Sequence, residues 1–504
     1  MGIVRNQSIK NATIFYIGMA IGAINTVLIY PNVFNNQPEH WGLIQILIAY
    51  AFVASTFSQL GVPKTYMRFF PTIQDKGQFL FFGIILSIAG FILSLLGYYL
   101  FKDQLFESLN ASKLLINNFH YVIILMFCIS FFELFASVSR SYLNAVTPTF
   151  LNEIFLKSYS LIILSLHGLQ LLSFQQFLQF FILGYAVKML LLIVLQLKHN
   201  RASISFTFKD LHLKELINFG FYVIIGGASA MLISKVDMIL INKYLDLEHV
   251  AYYTVAFYIG NAIKIPARSL VSISVPLLAK AWENKDMEQL QLLYTKSAIN
   301  LLIVGGFFFL VVWLNIDDVL LLLPDKFSQG KDVVLFIGLG QLFNISSGLN
   351  GSIIINSKYY RWDLIFNLFL LVFTIITNML FIPESSPLSS YGIVGINGAA
   401  FATALSILLF NILKMFFLYF KLDMHPFTIK TIYTLFLLSS VYILVQWIPF
   451  FRIETPQEIY AVTNMILRLL VVLMLFIPIM IKLKLSEDIN KVINEFKKRF
   501  LDND

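Results

Sequence analysis

The chain has 504 residues, of which 58% are hydrophobic and 13% charged, and its formal net charge is +8. Soluble domains carry about 25% charged residues, so a soluble globular protein is excluded and a polytopic membrane protein remains. The single cysteine, Cys128, excludes a disulfide framework and a cysteine-based metal site.

Apolar runs near the roughly 20 residues a spanning helix needs are read directly from the sequence. They fall at 11–31, 42–63, 79–101, 119–139, 149–171, 174–197, 217–241, 250–279, 293–315, 332–355, 362–382, 392–413, 428–449 and 459–481. The expected fold is therefore an all-α polytopic membrane protein with about fourteen transmembrane helices. No cleavage site follows Met1, so the first helix is read as retained. No connection is long enough to be a soluble catalytic domain.

With the N-terminus inside, most basic residues fall in cytoplasmic segments. Examples are Lys64, Arg68 and Lys76; Lys198, Arg201, Lys209 and Lys214; Lys414, Lys421 and Lys430; and Lys497, Lys498 and Arg499. The opposite side holds only Lys102, Lys113, Lys243, Lys326, Lys331 and Arg452. The positive-inside rule then places both termini in the cytoplasm. The basic balance is a topology signal, and no nucleic acid is required.

A faint repeat divides the chain. Glu39-His40 and Glu248-His249 are 209 residues apart, as are Lys76 and Lys285, which close the corresponding span pairs. This reads as two parallel six-helix lobes, 1–200 and 201–426, followed by an appended pair at 427–482. The tail, 483–504, has Ile489, Val492, Ile493, Phe496 and Phe500 at helical spacing. It is expected to be an amphipathic helix on the inner face, either a plain anchor or a contact for a partner.

Charges inside the spans are the candidates for function. Lys235 and Asp237 lie in the seventh span, Lys264 and Arg268 in the eighth. A Lys or Arg at the centre of a span costs about 2.5–3.5 kcal/mol on insertion scales. Lys264 and Arg268 share a helix face, whereas Lys235 and Asp237 do not. A cationic cavity for an anion, a buried structural ion pair and snorkelling all fit this pattern. Pro266 between Lys264 and Arg268 is expected to loosen the helix. The repeat pairs Lys264 with Ser55 and Arg268 with Gln59, so these two are candidates for the same cleft; plain helix-helix hydrogen bonding also fits them. Glu133 with Arg140, and Glu153 with Lys157, read as structural ion pairs or as proton or sodium coupling groups. Lys188 is expected to snorkel or pair, and Arg468 to stand isolated. Gly392, Gly395, Ala399, Ala402 and Ser406 form a small-residue packing stripe.

The absences also discriminate. There is no G-x-x-x-x-G-K-[ST] loop and no H-E-x-x-H. His40 and His249 sit in short outer loops without a nucleophile set and read as surface histidines. The chain is expected to be neither an enzyme nor a metal or cofactor protein.

Several segments carry a family likeness. They are Lys235-Val236-Asp237-Met238-Ile239-Leu240-Ile241, Val250-Ala251-Tyr252-Tyr253-Thr254-Val255-Ala256, Ser274-Val275-Pro276-Leu277-Leu278-Ala279, Tyr391-Gly392-Ile393-Val394-Gly395-Ile396-Asn397-Gly398-Ala399-Ala400, and Glu39-His40-Trp41-Gly42-Leu43. With the 6+6+2 arrangement, the chain resembles the polysaccharide-transporter (Wzx-like oligosaccharide flippase) branch of the multidrug/oligosaccharidyl-lipid/polysaccharide (MOP) flippase superfamily. The resemblance implies a V-shaped fold with a cationic central cavity. It implies a protein of the bacterial inner membrane that moves undecaprenyl-diphosphate-linked oligosaccharide from the cytoplasmic to the periplasmic leaflet; the chain is expected to be a monomer. Such units feed O-antigen (lipopolysaccharide), capsule or exopolysaccharide. The implied partners are the lipid-linked oligosaccharide, membrane lipids and other polysaccharide-assembly proteins. The family has no strict catalytic signature, so the substrate-site choices Lys235, Asp237, Lys264, Arg268, Gln59 and Ser55 rest on the charge argument. The rival readings are a MATE-like multidrug cation antiporter, which needs an embedded acid often found in the first span and absent there, a membrane glycan polymerase or ligase, and a lipid II flippase.

Overall fold

The structure is a computed structural model that describes residues 2–198, 205–206, 211–448 and 457–491. Every regular element among the described residues is a helix. Twelve helices are long and apolar enough to cross a membrane, and thirteen if one bent pair counts as a single span. The fold is that of a multi-pass helical membrane protein.

Two of the fourteen expected spans are broken. The eighth consists of helix Leu247–Asn261, a 3-10 turn at Ala262–Lys264 and helix Ile265–Glu283. The first piece is too short, and the second not apolar enough, to qualify separately. Pro266 falls in the first turn of the second piece. It has no N–H to give the carbonyl four residues back, so the α ladder lapses where the 3-10 turn lies. The tenth bends by 47° between Asp325–Ser346 and Asn350–Asn356. Gly348 sits at this bend with φ +69°, a conformation few other residues tolerate. Two further spans contain a π turn, at Ile24–Ile29 in the first and Leu151–Phe155 in the fifth.

The chain forms two compact units, Met1–Thr254 and Val255–Asp504. The lobe boundary expected at residue 200 lies outside the described residues. In the first unit helix Pro38–Ser58 is central and packs on His120–Ser141, Leu213–Tyr244 and Lys76–Ser108. Most side chains of His120–Ser141 are buried, including all from Leu125 to Val138 except Phe127 and Glu133. Lipid tails are as apolar as these side chains, so close packing and hydrogen bonds hold such helices together, with little water-driven hydrophobic force between them. Asp75 starts helix Lys76–Ser108 by accepting from the backbone N–H of Gly77 at 2.8 Å and of Gln78 at 3.1 Å. Leu247 begins the repeat-related helix, 209 residues after Pro38 begins its own. The two helix starts touch. A Cβ on Gly42 would overlap the Leu247 carbonyl, so only glycine fits.

In the second unit helix Gly395–Leu422 packs between Lys331–Ser346 and Arg361–Phe381. The small-residue stripe makes this possible. Ala399 and Ala402 are fully buried, and the Ser406 hydroxyl meets that of Thr377 at 3.2 Å. The tightest approach is Gly398 against the Phe381 backbone, whereas Gly392 lies in open space. Helix Ile429–Gln446 starts from a capping box between Thr428 and Thr431. It packs with Gln457–Lys482 and Met287–Leu314 around Leu438, Val441, Val472 and Phe476. The expected tail helix is described only up to Lys491, and its remaining residues lie outside the described set. Its start is fastened. Leu485 is fully buried, Ser486 bonds Asn300, and Asn300 donates to Asp488 at 3.0 Å.

Candidate functional site

Lys235 and Asp237 diverge as their spacing requires. Asp237 is buried and accepts a hydrogen bond from the Tyr253 hydroxyl at 2.5 Å. Lys235 is half-buried, nine residues before the end of helix Leu213–Tyr244, with its ammonium 5.6 Å from the Phe52 ring centroid. Among the described residues no carboxylate lies within 4.0 Å of it. A cation-π contact contributes about 0.5–2 kcal/mol, less than the insertion cost of a central lysine.

Ser55 and Gln59 lie on the neighbouring helix. Ser55 is buried and its hydroxyl donates to the Phe52 carbonyl at 2.8 Å; Thr56 donates to the same carbonyl at 3.1 Å. These hydroxyls are committed to their own backbone. Gln59 is half-buried at the helix C-cap.

Lys264 sits at the break in the eighth span and lines a cavity of about 420 Å³ within the second unit. The side chain of Arg268 lies outside the described residues. The cavity is also bordered by Asn344, Gly348 and Asn350, from the bend of the tenth span, over a floor of Ala267, Leu301 and Ile345. Asn411 on helix Gly395–Leu422 ties the two asparagines together. Its side chain accepts from Asn350 at 2.9 Å and donates to Asn344 at 3.0 Å. Sequence reasoning missed these amides. The run Asn344-Ile345-Ser346-Ser347-Gly348-Leu349-Asn350 is the signal that would have found them, being too polar for an unbroken span.

A second charged group occupies the first unit. Glu133 pairs with Arg140 at 3.4 Å and Glu153 with Lys157 at 2.7 Å. Lys157 also donates to the Gly18 carbonyl at 3.0 Å, which ties the fifth span to the first. Lys188 does not snorkel. It is 3% exposed, donates to Asn152 at 3.1 Å and sits 4.1 Å over the Phe132 ring. Asn152 and Glu153 both lie in the π turn of the fifth span, a distortion frequent at functional sites.

Two expectations for single charges are corrected. Arg468 is not isolated, because it forms an ion pair with buried Asp318 of helix Ile316–Leu321. Lys414 is not a loop charge, because helix Gly395–Leu422 carries it into the core, where it meets Asp363 at 2.8 Å. The two histidines expected in loops lie instead in the first turns of helices Pro38–Ser58 and Leu247–Asn261, and both have partners. His40 stacks on Phe174 with centroids 3.7 Å apart. His249 bonds Asp246 at 2.7 Å. That hydrogen bond holds His249 above the ordinary imidazole range and Asp246 below the ordinary carboxylate range.

Comparison with known proteins accords with this architecture. The MatE family model matches residues 223–380. A solved structure described as the lipid II flippase MurJ in an inward closed conformation aligns with a TM-score of 0.69 at 14% identity, covering 94% of this chain and 99% of that one. An inward-facing multidrug resistance MATE family transporter of the MOP superfamily aligns at 0.60 and 14% identity, over 82% of this chain and 94% of that one. A MATE structure in a bent conformation aligns at 0.52 and 16% identity, over 84% and 95%. No curated protein sequence matches the chain. At these identities the likeness is one of fold: the chain has the fold of MOP-superfamily transporters.

Proposed function

We propose that the protein is a flippase for a lipid-linked oligosaccharide, carrying an undecaprenyl-diphosphate-linked repeat unit from the cytoplasmic to the periplasmic leaflet of a bacterial inner membrane by alternating access. The observation that carries the reading is Lys235, a cation at membrane depth with an aromatic face but no carboxylate beside it among the described residues. A diphosphate is the kind of partner that charge lacks. Lys264 is the second cation, and Arg268 is proposed as the third on the strength of its place in the chain. Asp237 is proposed to hold cations between cycles, and Gln59 to hydrogen-bond the sugars. The lobes 1–200 and 201–426, with both termini cytoplasmic, are the proposed framework. Alignment over 94% of the chain with a flippase fold supports the reading. The test is transport of a fluorescent undecaprenyl-diphosphate oligosaccharide in proteoliposomes. Lys235→Gln should slow it at least tenfold at unchanged protein level, and normal transport by that variant would sink the reading.

The match of residues 223–380 to the MatE model favours a second reading, a multidrug cation exporter. Raised drug tolerance on overexpression, abolished by Glu153→Gln, would establish it instead.

A further inference from the structure

We propose that the cleft between the end of the second span and the start of the seventh binds an anionic phospholipid of the inner leaflet, with Arg68 and Lys214 on its phosphate. The site lies within the first unit and uses none of the groups proposed for cargo. Helix Val62–Phe69 follows the second span and carries Arg68 in its last turn. It packs beside helix Leu213–Tyr244. A cavity of about 730 Å³ is bordered by residues of both, among them Arg68, His212, Lys214, Asn218 and Phe219.

The two helices meet backbone to backbone. A Cβ on Gly61 would overlap the Gly220 carbonyl, and one on Gly220 would press on the Leu60 carbonyl. This register lays Arg68 over Phe219, with its guanidinium carbon 4.3 Å from that ring centroid and 5.6 Å from the centroid of Phe69. The rings hold the cationic head in place, and its fork of N–H donors suits a phosphate. Among the described residues neither Arg68 nor Lys214 has a carboxylate within 4.0 Å or a side-chain hydrogen bond. Glu215 also borders the cavity and pairs with neither. Two cations beside one carboxylate leave an excess of positive charge, which favours an anion.

The apolar surroundings select a lipid over a soluble anion. Leu213, Ile217, Phe221 and Ile225 recur every fourth residue along the seventh span, and all four are exposed. This stripe starts at the cavity wall, at Leu213, and runs into the apolar span. A phosphate held at the basic end and an acyl chain laid along the stripe together have the outline of a phospholipid. The positive-inside pattern assigns this end of the spans to the cytoplasm, where basic pockets between spans bind anionic headgroups. A choline headgroup brings its own cation toward Arg68 and Lys214 and is disfavoured.

The test is native mass spectrometry of the full chain in detergent. It is titrated with phosphatidylglycerol, phosphatidylcholine of the same acyl chains, deacylated glycerophosphoglycerol and inorganic phosphate. The variants are Arg68→Gln with Lys214→Gln, and Lys280→Gln as a control at an exposed lysine outside the cavity. Arg68 and Lys214 are exposed, so the double variant should fold, and its melting temperature checks this. The expected result is saturable binding of phosphatidylglycerol, at least tenfold weaker binding of phosphatidylcholine, and at least tenfold weakening by the double variant. Lys280→Gln should change binding less than twofold. Undiminished binding by the double variant would overturn the site, and an equal loss with Lys280→Gln would reduce it to diffuse surface charge. Glycerophosphoglycerol or phosphate binding as tightly as the lipid would overturn the lipid as occupant. No outcome here touches Lys235, so the flippase reading stands or falls on its own assay.

Discussion

Tyr253 donates its phenolic hydrogen to Asp237 across 2.5 Å, and both side chains are buried. The acid nearest in sequence to Lys235 is therefore held by a neutral donor on the next helix. Removing that donor with Tyr253→Phe leaves a buried carboxylate short of a hydrogen bond, a loss of about 1.5–3 kcal/mol for a charged acceptor. Melting in detergent should show this loss. In the double variant Tyr253→Phe, Asp237→Asn the effects should fall short of additive, since the two groups share one interaction.

Gly42 against Leu247 is a close backbone approach between two repeat-related helix starts. Gly42→Ala should cost about 1–3 kcal/mol through overpacking, and Gly42→Val more. The check is the melting temperature of each, with Gly97→Ala as a control at a position where a Cβ meets nothing.

Half-buried Arg468 pairs with buried Asp318. Arg468→Ala leaves the acid uncompensated and should destabilise by about 3–5 kcal/mol, whereas Arg468→Met with Asp318→Leu should come close to wild type. Thermal unfolding of the three chains distinguishes the cost of breaking the pair from the worth of having it.

The Asp246–His249 pair carries a pH dependence. The folded pKa of His249 is raised, so its contribution is complete below the unfolded value near 6.5 and is lost as pH rises through the folded value. The folded pKa of Asp246 is lowered, so its share is present above the unfolded value near 3.8 and is lost as pH falls through the folded one. Both are partly exposed, which limits the effect to under about 1 kcal/mol. His249→Gln should lower the melting temperature at pH 5.5 and leave it nearly unchanged at pH 9.

Most of the fold was legible because a span of about 20 apolar residues can hardly be anything but a helix in lipid. What hydropathy does not encode is continuity. The breaks at Ala262–Lys264 and Ser346–Asn350 lie inside longer runs that are apolar enough on average to be read as single spans. Nor does hydropathy mark where a helix stops. Gly395–Leu422 runs on past the expected end at residue 413 and takes Lys414 with it. Partners far apart in sequence were invisible. Arg468 meets Asp318 and Lys188 meets Asn152 only after folding. Among the site candidates, Lys235 and Lys264 stood out as charges in apolar runs. The asparagines beside Lys264 did not, because single amides are common in spans as helix-helix glue.

The π turn at Leu151–Phe155 holds one residue more than an α ladder needs there. Each residue of an α-helix turns the chain by about 100°, so this surplus sets the angular phase between Asn152, which faces Lys188, and everything downstream. Deleting Ile154 would let the ladder close without a gap and cost little in hydrogen bonding. It would nonetheless rotate Lys157 away from Gly18 relative to Asn152. A one-residue deletion can thus rewire this charged group while the helix itself stays whole, an outcome that no single substitution at the same place would reproduce.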